Sequence, residues 1–300
     1  MNLVKLSFLF NALSVGFVGM LINLFESYIP AFVSKIFRHG KFSADVKDAF
    51  LDMCEVPKRW MQHFYILAAP LSTFSLSLLI YRYFLGNKLP KLFNDYFGCM
   101  IGTSTPALIP PENVILAITL LSMHCWKRFY ECYFLSVFSD VKMSFVIYLV
   151  GHCHYIGAVT SIVGESRQLL TDTKVLLNWT KLTYLEILCS IVFLISTYLQ
   201  YKSNLILASL RKDKKGNVVT KKHKIPKGEL FEYVTSPLQF TEICLYVCLS
   251  IILKAGSTFH FVTLWVIINQ VECAYLSHVW YSSTFENYPK SRKIILPFIF

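Results

Sequence analysis

The chain has 300 residues, of which 55% are hydrophobic and only 16% charged, with a mean hydropathy of +0.50 and a net charge of +11. Soluble domains carry about 25% charged residues, so this composition excludes an ordinary soluble protein. It fits one integral helical membrane domain covering residues 1–300, since no long polar tract remains for a second, soluble domain.

Leu3–Phe25 is the first apolar run. Its length exceeds a signal-peptide core and suffices for a bilayer of about 30 Å. Basic residues follow it (Lys35, Arg38, Lys41), apart from Lys5, which predicts an uncleaved anchor with its N-terminus outside the cytosol. A polar connection containing VPKRWMQHFY (56–65) leads into a second span over about 62–85. Further spans are predicted over about 112–126, 143–163, 181–201, 238–253 and 258–281, with a turn at Lys254-Ala255-Gly256-Ser257 before the last. The third is the shortest, and a helix continuing past it would leave Lys127 and Arg128 to snorkel.

With seven spans, 21 of the 29 Lys/Arg fall on one side and 8 on the other. The richer side is expected in the cytosol, giving a luminal N-terminus and a cytosolic C-terminus. This asymmetry accounts for the positive charge without a nucleic-acid partner, and no recognition module is legible. Segment 202–239 holds nine Lys/Arg against three acids. Within it, 212–222 reads as a solvated, orienting face. Asn178-Trp179-Thr180 is a glycosylation sequon, expected to be unused because it lies so close to the fifth span. Six of the nine cysteines lie in apolar runs, where Cys behaves as a small hydrophobe, and no disulfide framework is visible.

Polar groups inside the spans are costly and call for a reason. They are Glu186, Glu242, Glu272, His152, His154, Asn269 and His278. GHCHYIG (151–157) is a poor metal site, because residues two apart point to different faces of a helix. No dinucleotide fingerprint, P-loop, GxSxG or HExxH occurs, so a bound anion would be held by side chains such as Arg211, Lys224 and Arg292.

LRKDKKGNVVTKKHKIPKGELFEYVTSP and the final AYLSHVWYSSTFENYPKSRKIILPFIF resemble the steroid 5α-reductase family. The signature, strongest over about 181–300, is a basic IP-G-LF-YV loop, then H-x-x-Y-x-x-x-F-x-x-YPK-x-RK-x-x-x-PF-x-F. VPKRWMQHFY and the His-x-x-x-Arg-x-x-Glu-Cys segment at 124–132 are similar to its polyprenal/polyprenol reductase branch. The resemblance implies an endoplasmic reticulum membrane enzyme of seven spans, N-out and C-in. It implies NADPH on the cytosolic side and hydride delivery to a double bond conjugated to a carbonyl. By motif, the cofactor residues would be Asn204, Arg211, Lys224, Tyr233, Glu242, His278, Tyr281 and Arg292. Asn204 stands where steroid reductases have Asp, and Leu238 where Asn is usual. Cys125 stands where they have a catalytic Tyr, and no Glu follows Trp60, which makes steroid a poor substrate. His63 or Tyr65, with His124, is then expected to bind the substrate oxygen, and no metal is expected.

An allylic alcohol offers hydride no electrophilic carbon, whereas an α,β-unsaturated aldehyde does. Membrane-embedded polyprenal, reduced to dolichal on the way to dolichol for N-glycosylation, is therefore the expected substrate, with no obligate protein partner evident. A trans-2-enoyl-CoA reductase of fatty-acid elongation, a 3-oxo-steroid 5α-reductase and a non-enzymatic seven-span receptor are the alternatives.

Overall fold

The computed structural model describes residues 1–30, 33–34, 37, 53–171 and 175–300. Lys35, Arg38 and Lys41 lie outside the described residues. The protein is all-helical: α1 (Leu3–Phe25), α2 (Gln62–Tyr83), α3 (Lys91–Met100), α4 (Pro111–Tyr130), α5 (Phe145–Gly164), α6 (Tyr184–Ser209), α7 (Pro237–Ile252) and α8 (Thr258–Thr284). Hydrocarbon offers no partner for backbone N–H and C=O, so apolar runs of this length close their hydrogen bonds internally as helices. Helices α1, α5, α6 and α8, and the segment Lys58–Tyr83, are long and apolar enough to cross a membrane; α7 is apolar but shorter. The protein is thus a multi-pass membrane protein.

Local signals set the helix boundaries. Pro111 and Pro237 open α4 and α7, where a missing N–H costs nothing. Thr183 and Glu186 form a capping box that starts α6. Glu186, met in the sequence as a charge within a span, is therefore an end-of-helix group, and it also pairs with Lys254 at 3.1 Å.

Two predicted elements differ. The connection 86–111 contains α3, an amphipathic helix with no counterpart among the expected spans. Helix α4 runs to Tyr130 and continues as a π-helical turn, Glu131–Leu135. Lys127 and Arg128 do not snorkel from it. Glu131, fully buried, draws both inward, at 3.5 Å from Lys127 Nζ and 2.7 Å from Arg128 Nη1.

A two-stranded antiparallel ribbon, β1 (Glu55–Pro57) on β2 (Lys142–Ser144), ties the start of α2 to the start of α5. Along that seam Gly151 is needed for close approach, since a Cβ there would meet the Phe64 ring at 2.5 Å.

The bundle has two polar ends. At the end carrying Met1, Glu165 accepts from the backbone N–H of Ser257 (2.7 Å) and Thr258 (3.2 Å), and from both their hydroxyls, fixing the turn into α8. Nearby, Arg82 donates to the carbonyls of Gln168, Leu169 and Thr171, and Asn113 to that of Ile252. The opposite end gathers β1–β2, the basic loop and the C-terminal tail.

Candidate active site

At the tail end, a chain of polar contacts crosses the bundle. Arg128 Nε on α4 donates to Tyr65 Oη on α2 (3.1 Å) and lies 5.1 Å over its ring. Its Nη1 reaches Glu131, which also draws Lys127. Lys127 donates to Gln200 on α6, and Gln200 Nε2 donates to Glu242 on α7 at 2.6 Å. Glu242 ends the chain 3.6 Å from His124 Nε2, too long for a hydrogen bond. Tyr65 and His124, expected near the substrate oxygen, thus sit on one network with Glu242, expected at the cofactor.

His63 is separate. Two residues from Tyr65, it faces away from the network; its Nδ1 lies 3.1 Å from Tyr148 Oη and its ring packs on Trp60. In GHCHYIG the two histidines also part company. His152 Nδ1 contacts its own helix at the Tyr148 carbonyl (2.9 Å), while His154 Nε2 meets Tyr246 Oη on α7 at 2.7 Å.

The expected cofactor residues are spread over α6 (Asn204), the loop, α7 (Glu242), the end of α8 and the tail. Thr235 N–H donates to the Lys293 carbonyl and Lys293 N–H to the Tyr233 carbonyl, stitching tail to loop. His278 Nδ1 lies 2.7 Å from Thr235 Oγ1, and Tyr281 stacks on Tyr288. Tyr281 lies within electrostatic reach of both Arg211 and Arg292. A cleft of about 260 Å³ opens between α8 and the tail, lined by His278, Ser282, Glu286 and Lys290 among others. Tyr233 and Lys224 are exposed, and the Tyr233 ring packs on Phe298 of the tail.

Arg292 is 4% exposed, yet its Nε and Nη1 have no hydrogen-bond partner among the described residues; the same holds for Nδ2 of buried Asn204. Buried donors are rarely left so, and here they fit a group carrying anionic oxygens.

Most of 212–222 is exposed, as expected of a solvated face, and the loop is anchored at its edges. Arg211 donates to the Val137 carbonyl, half-buried Lys212 to that of Leu135 (2.8 Å), and Lys221 pairs with Asp140 (2.6 Å). Between them Asp213 accepts from the backbone N–H groups of Lys215 and Asn217, which, with Asn217 contributing most, hold its carboxyl below the usual range. Partial burial lowers the Arg211 pKa, with Tyr281 opposing, but a guanidinium stays charged regardless. Gln200 and Lys127 are network members that motif reading missed; the signal present was their polarity inside or beside an apolar span.

Fold and site together define a multi-pass helical membrane protein whose buried polar network adjoins a basic wall suited to an anionic cofactor. Residues 170–300 match the family model described as 3-oxo-5-alpha-steroid 4-dehydrogenase. A Drosophila melanogaster protein named polyprenal reductase is 33% identical over 304 residues, covering 99% of this chain and 93% of its own. The human protein of that name is 33% identical, over 82% of this chain and 78% of its own, and the Danio rerio one 30%, over 100% and 98%. The chain belongs to the steroid 5α-reductase family, oxidoreductases that reduce a carbon–carbon double bond.

Proposed function

We propose that this chain is a polyprenal reductase of the endoplasmic reticulum membrane, saturating the α double bond of polyprenal with NADPH to give dolichal, and overall dolichol from polyprenol for N-glycosylation. The observation that carries the reading is the polar chain from Tyr65 to Glu242, which joins a candidate substrate-oxygen donor to a carboxylate expected at the cofactor. The names of the relatives favour polyprenal over an enoyl-CoA or a steroid. The whole chain acts as one domain of seven crossings, with α4 and α7 added to the five longest segments. Met1 and the tail lie at opposite ends of the bundle, in keeping with a luminal N-terminus and a cytosolic C-terminus.

Arg292, Arg211 and Lys224 would take the cofactor's phosphates, Asn204 and Glu242 its polar groups, and Tyr233, His278 and Tyr281 would shape the surrounding wall. When bound, the cofactor supplies a hydride for the substrate β-carbon. Arg128 occupies the acceptor side of the Tyr65 phenol, which leaves the phenol's own O–H to donate to the aldehyde oxygen. That donation stabilises the enolate, the kind of electrostatic term that is usually the largest in such reactions. His124, beside Glu242, is placed to steady the same oxygen. His63, within its aromatic cluster, would line the path of the isoprenoid chain.

Purified protein given NADPH should saturate polyprenal and leave polyprenol untouched. Saturation of polyprenol with polyprenal inert would overturn the reading, and turnover of an acyl-CoA would favour the elongation reductase. Loss of the protein from cells should raise polyprenol at the expense of dolichol.

A further inference from the structure

The reduction needs a proton at the α-carbon, and the residues placed so far act on the oxygen and the cofactor. Position 125, where the family resemblance puts a tyrosine, holds a fully buried cysteine. Two phenols nevertheless lie within electrostatic reach of Cys125: Tyr155, which is also in reach of Tyr65, and Tyr246. Tyr246 is 1% exposed and stacks on Phe259. It follows Glu242 by four residues on α7, so both project from one helical face. Its hydroxyl meets His154 Nε2 at 2.7 Å, and His154 Nδ1 is buried with no hydrogen-bond partner among the described residues.

Helix packing alone would account for the His154–Tyr246 bond, but not for a second ring nitrogen left buried and without a hydrogen bond among the described residues, within electrostatic reach of Glu242 and His124. An imidazole with one nitrogen on a phenol and the other open is the arrangement of a relay. We propose that Tyr246 is the proton donor to the α-carbon and that His154 is the positioning residue that holds and reprotonates it. This rests on the polyprenal reading above.

In this step the β-carbon has received its hydride and the substrate is an enolate. The enolate C=C electrons take the Tyr246 Oη proton to form the new Cα–H bond, and the oxygen regains its carbonyl. The phenolate left behind takes the Nε2 proton of His154, while Nδ1 accepts one from water. The net proton comes from water and no electrons beyond the hydride pair are needed.

In D2O the wild-type protein should place deuterium at the α-carbon of dolichal and show a solvent isotope effect on kcat. Tyr246→Phe should lower kcat about 100-fold or more, the scale of a lost general acid. NADPH binding, read by nucleotide fluorescence, should be unchanged. Wild-type kcat in Tyr246→Phe, with deuterium still entering the α-carbon, would overturn the proposal. Should Tyr246→Phe lose NADPH binding, His154→Gln and His154→Leu decide: a higher kcat in the Gln variant, which keeps an N–H for the phenol, supports the relay, and equal values sink it. A wild-type protein inert to polyprenal but active on another enal or enone would defeat the substrate reading and leave the acid to be tested on that substrate.

Discussion

The two ends of the bundle treat buried polar groups in opposite ways. At the Met1 end, Glu165 is fully buried and accepts from both N–H groups and both hydroxyls of Ser257 and Thr258, and Glu112, Asn113 and Arg82 each find backbone partners. Every buried side-chain atom left without a hydrogen bond among the described residues lies instead in the middle or at the tail end: on His124, Glu131, His154, Asn204 and Arg292. An unpaired buried donor or acceptor costs about 1–3 kcal/mol. One end therefore spends its polar groups on rigidity, while the other carries a cost that binding a polar ligand would relieve. The contrast supports the proposed place of the chemistry without reference to any motif.

If that division is correct, substitutions at the two ends should separate activity from stability. Tyr65→Phe should have the largest effect on turnover, lowering kcat by about 100- to 1,000-fold, within the range for loss of a positioned acid or oxyanion donor. Its melting temperature should barely move, because Arg128 keeps its bond to Glu131. Glu165→Ala should do the reverse. It leaves two backbone N–H groups at the start of α8 unsatisfied and should destabilise the protein by about 3 kcal/mol, read as a lower melting temperature in detergent. The kcat of the folded fraction should be unchanged. A Glu165→Ala protein that is stable but catalytically dead would break the comparison.

The tail end was the more legible of the two in the sequence, for a physical reason. The His-x-x-Tyr…YPK-x-RK spacing and the basic loop are local patterns, and the structure brings His278, Tyr281 and Arg292 to one wall with the loop stitched alongside. Five spans were legible because hydrophobic length alone decides them, although α3 escaped because its apolar residues fill only one face of a short helix. What could not be read were pairings across helices. Lys127 and Arg128 lie four and three residues before Glu131, a spacing that pairs them along the helix. Nothing in that spacing tells that Glu131 is fully buried or that Lys127 also reaches Gln200 on α6. Tyr65 and His63, two residues apart, were equal candidates until the fold gave one to Arg128 and the other to Tyr148. The docking of Arg211 and Lys212 on the Leu135 and Val137 carbonyls likewise has no sequence signature, since any carbonyl can accept.

Two basic residues at the tail end sharpen the comparison further, because one is buried with two N–H donors unpaired among the described residues and the other is exposed with a partner. Arg292→Ala should raise the KM for NADPH by about 10- to 100-fold, which corresponds to losing hydrogen bonds to a charged group worth about 1.5–3 kcal/mol. The melting temperature of the ligand-free protein should change little or even rise, since two of the lost donors have no acceptor among the described residues. Unchanged kinetics would remove Arg292 from the cofactor site. Lys221→Ala should have the smallest effect of all. Its partner Asp140 is 83% exposed and Lys221 itself 51%, so the ion pair sits in solvent. Exposed pairs contribute about 0.2–1 kcal/mol and fade with salt. The loop is in any case held by Arg211 and Lys212 on the same segment, so a melting shift of a few degrees at most is expected, vanishing at high salt. A large loss of turnover in Lys221→Ala would mean that the loop's hold on the connection after α4 governs the network inside, and that the division between a satisfied end and a reactive end extends to the surface.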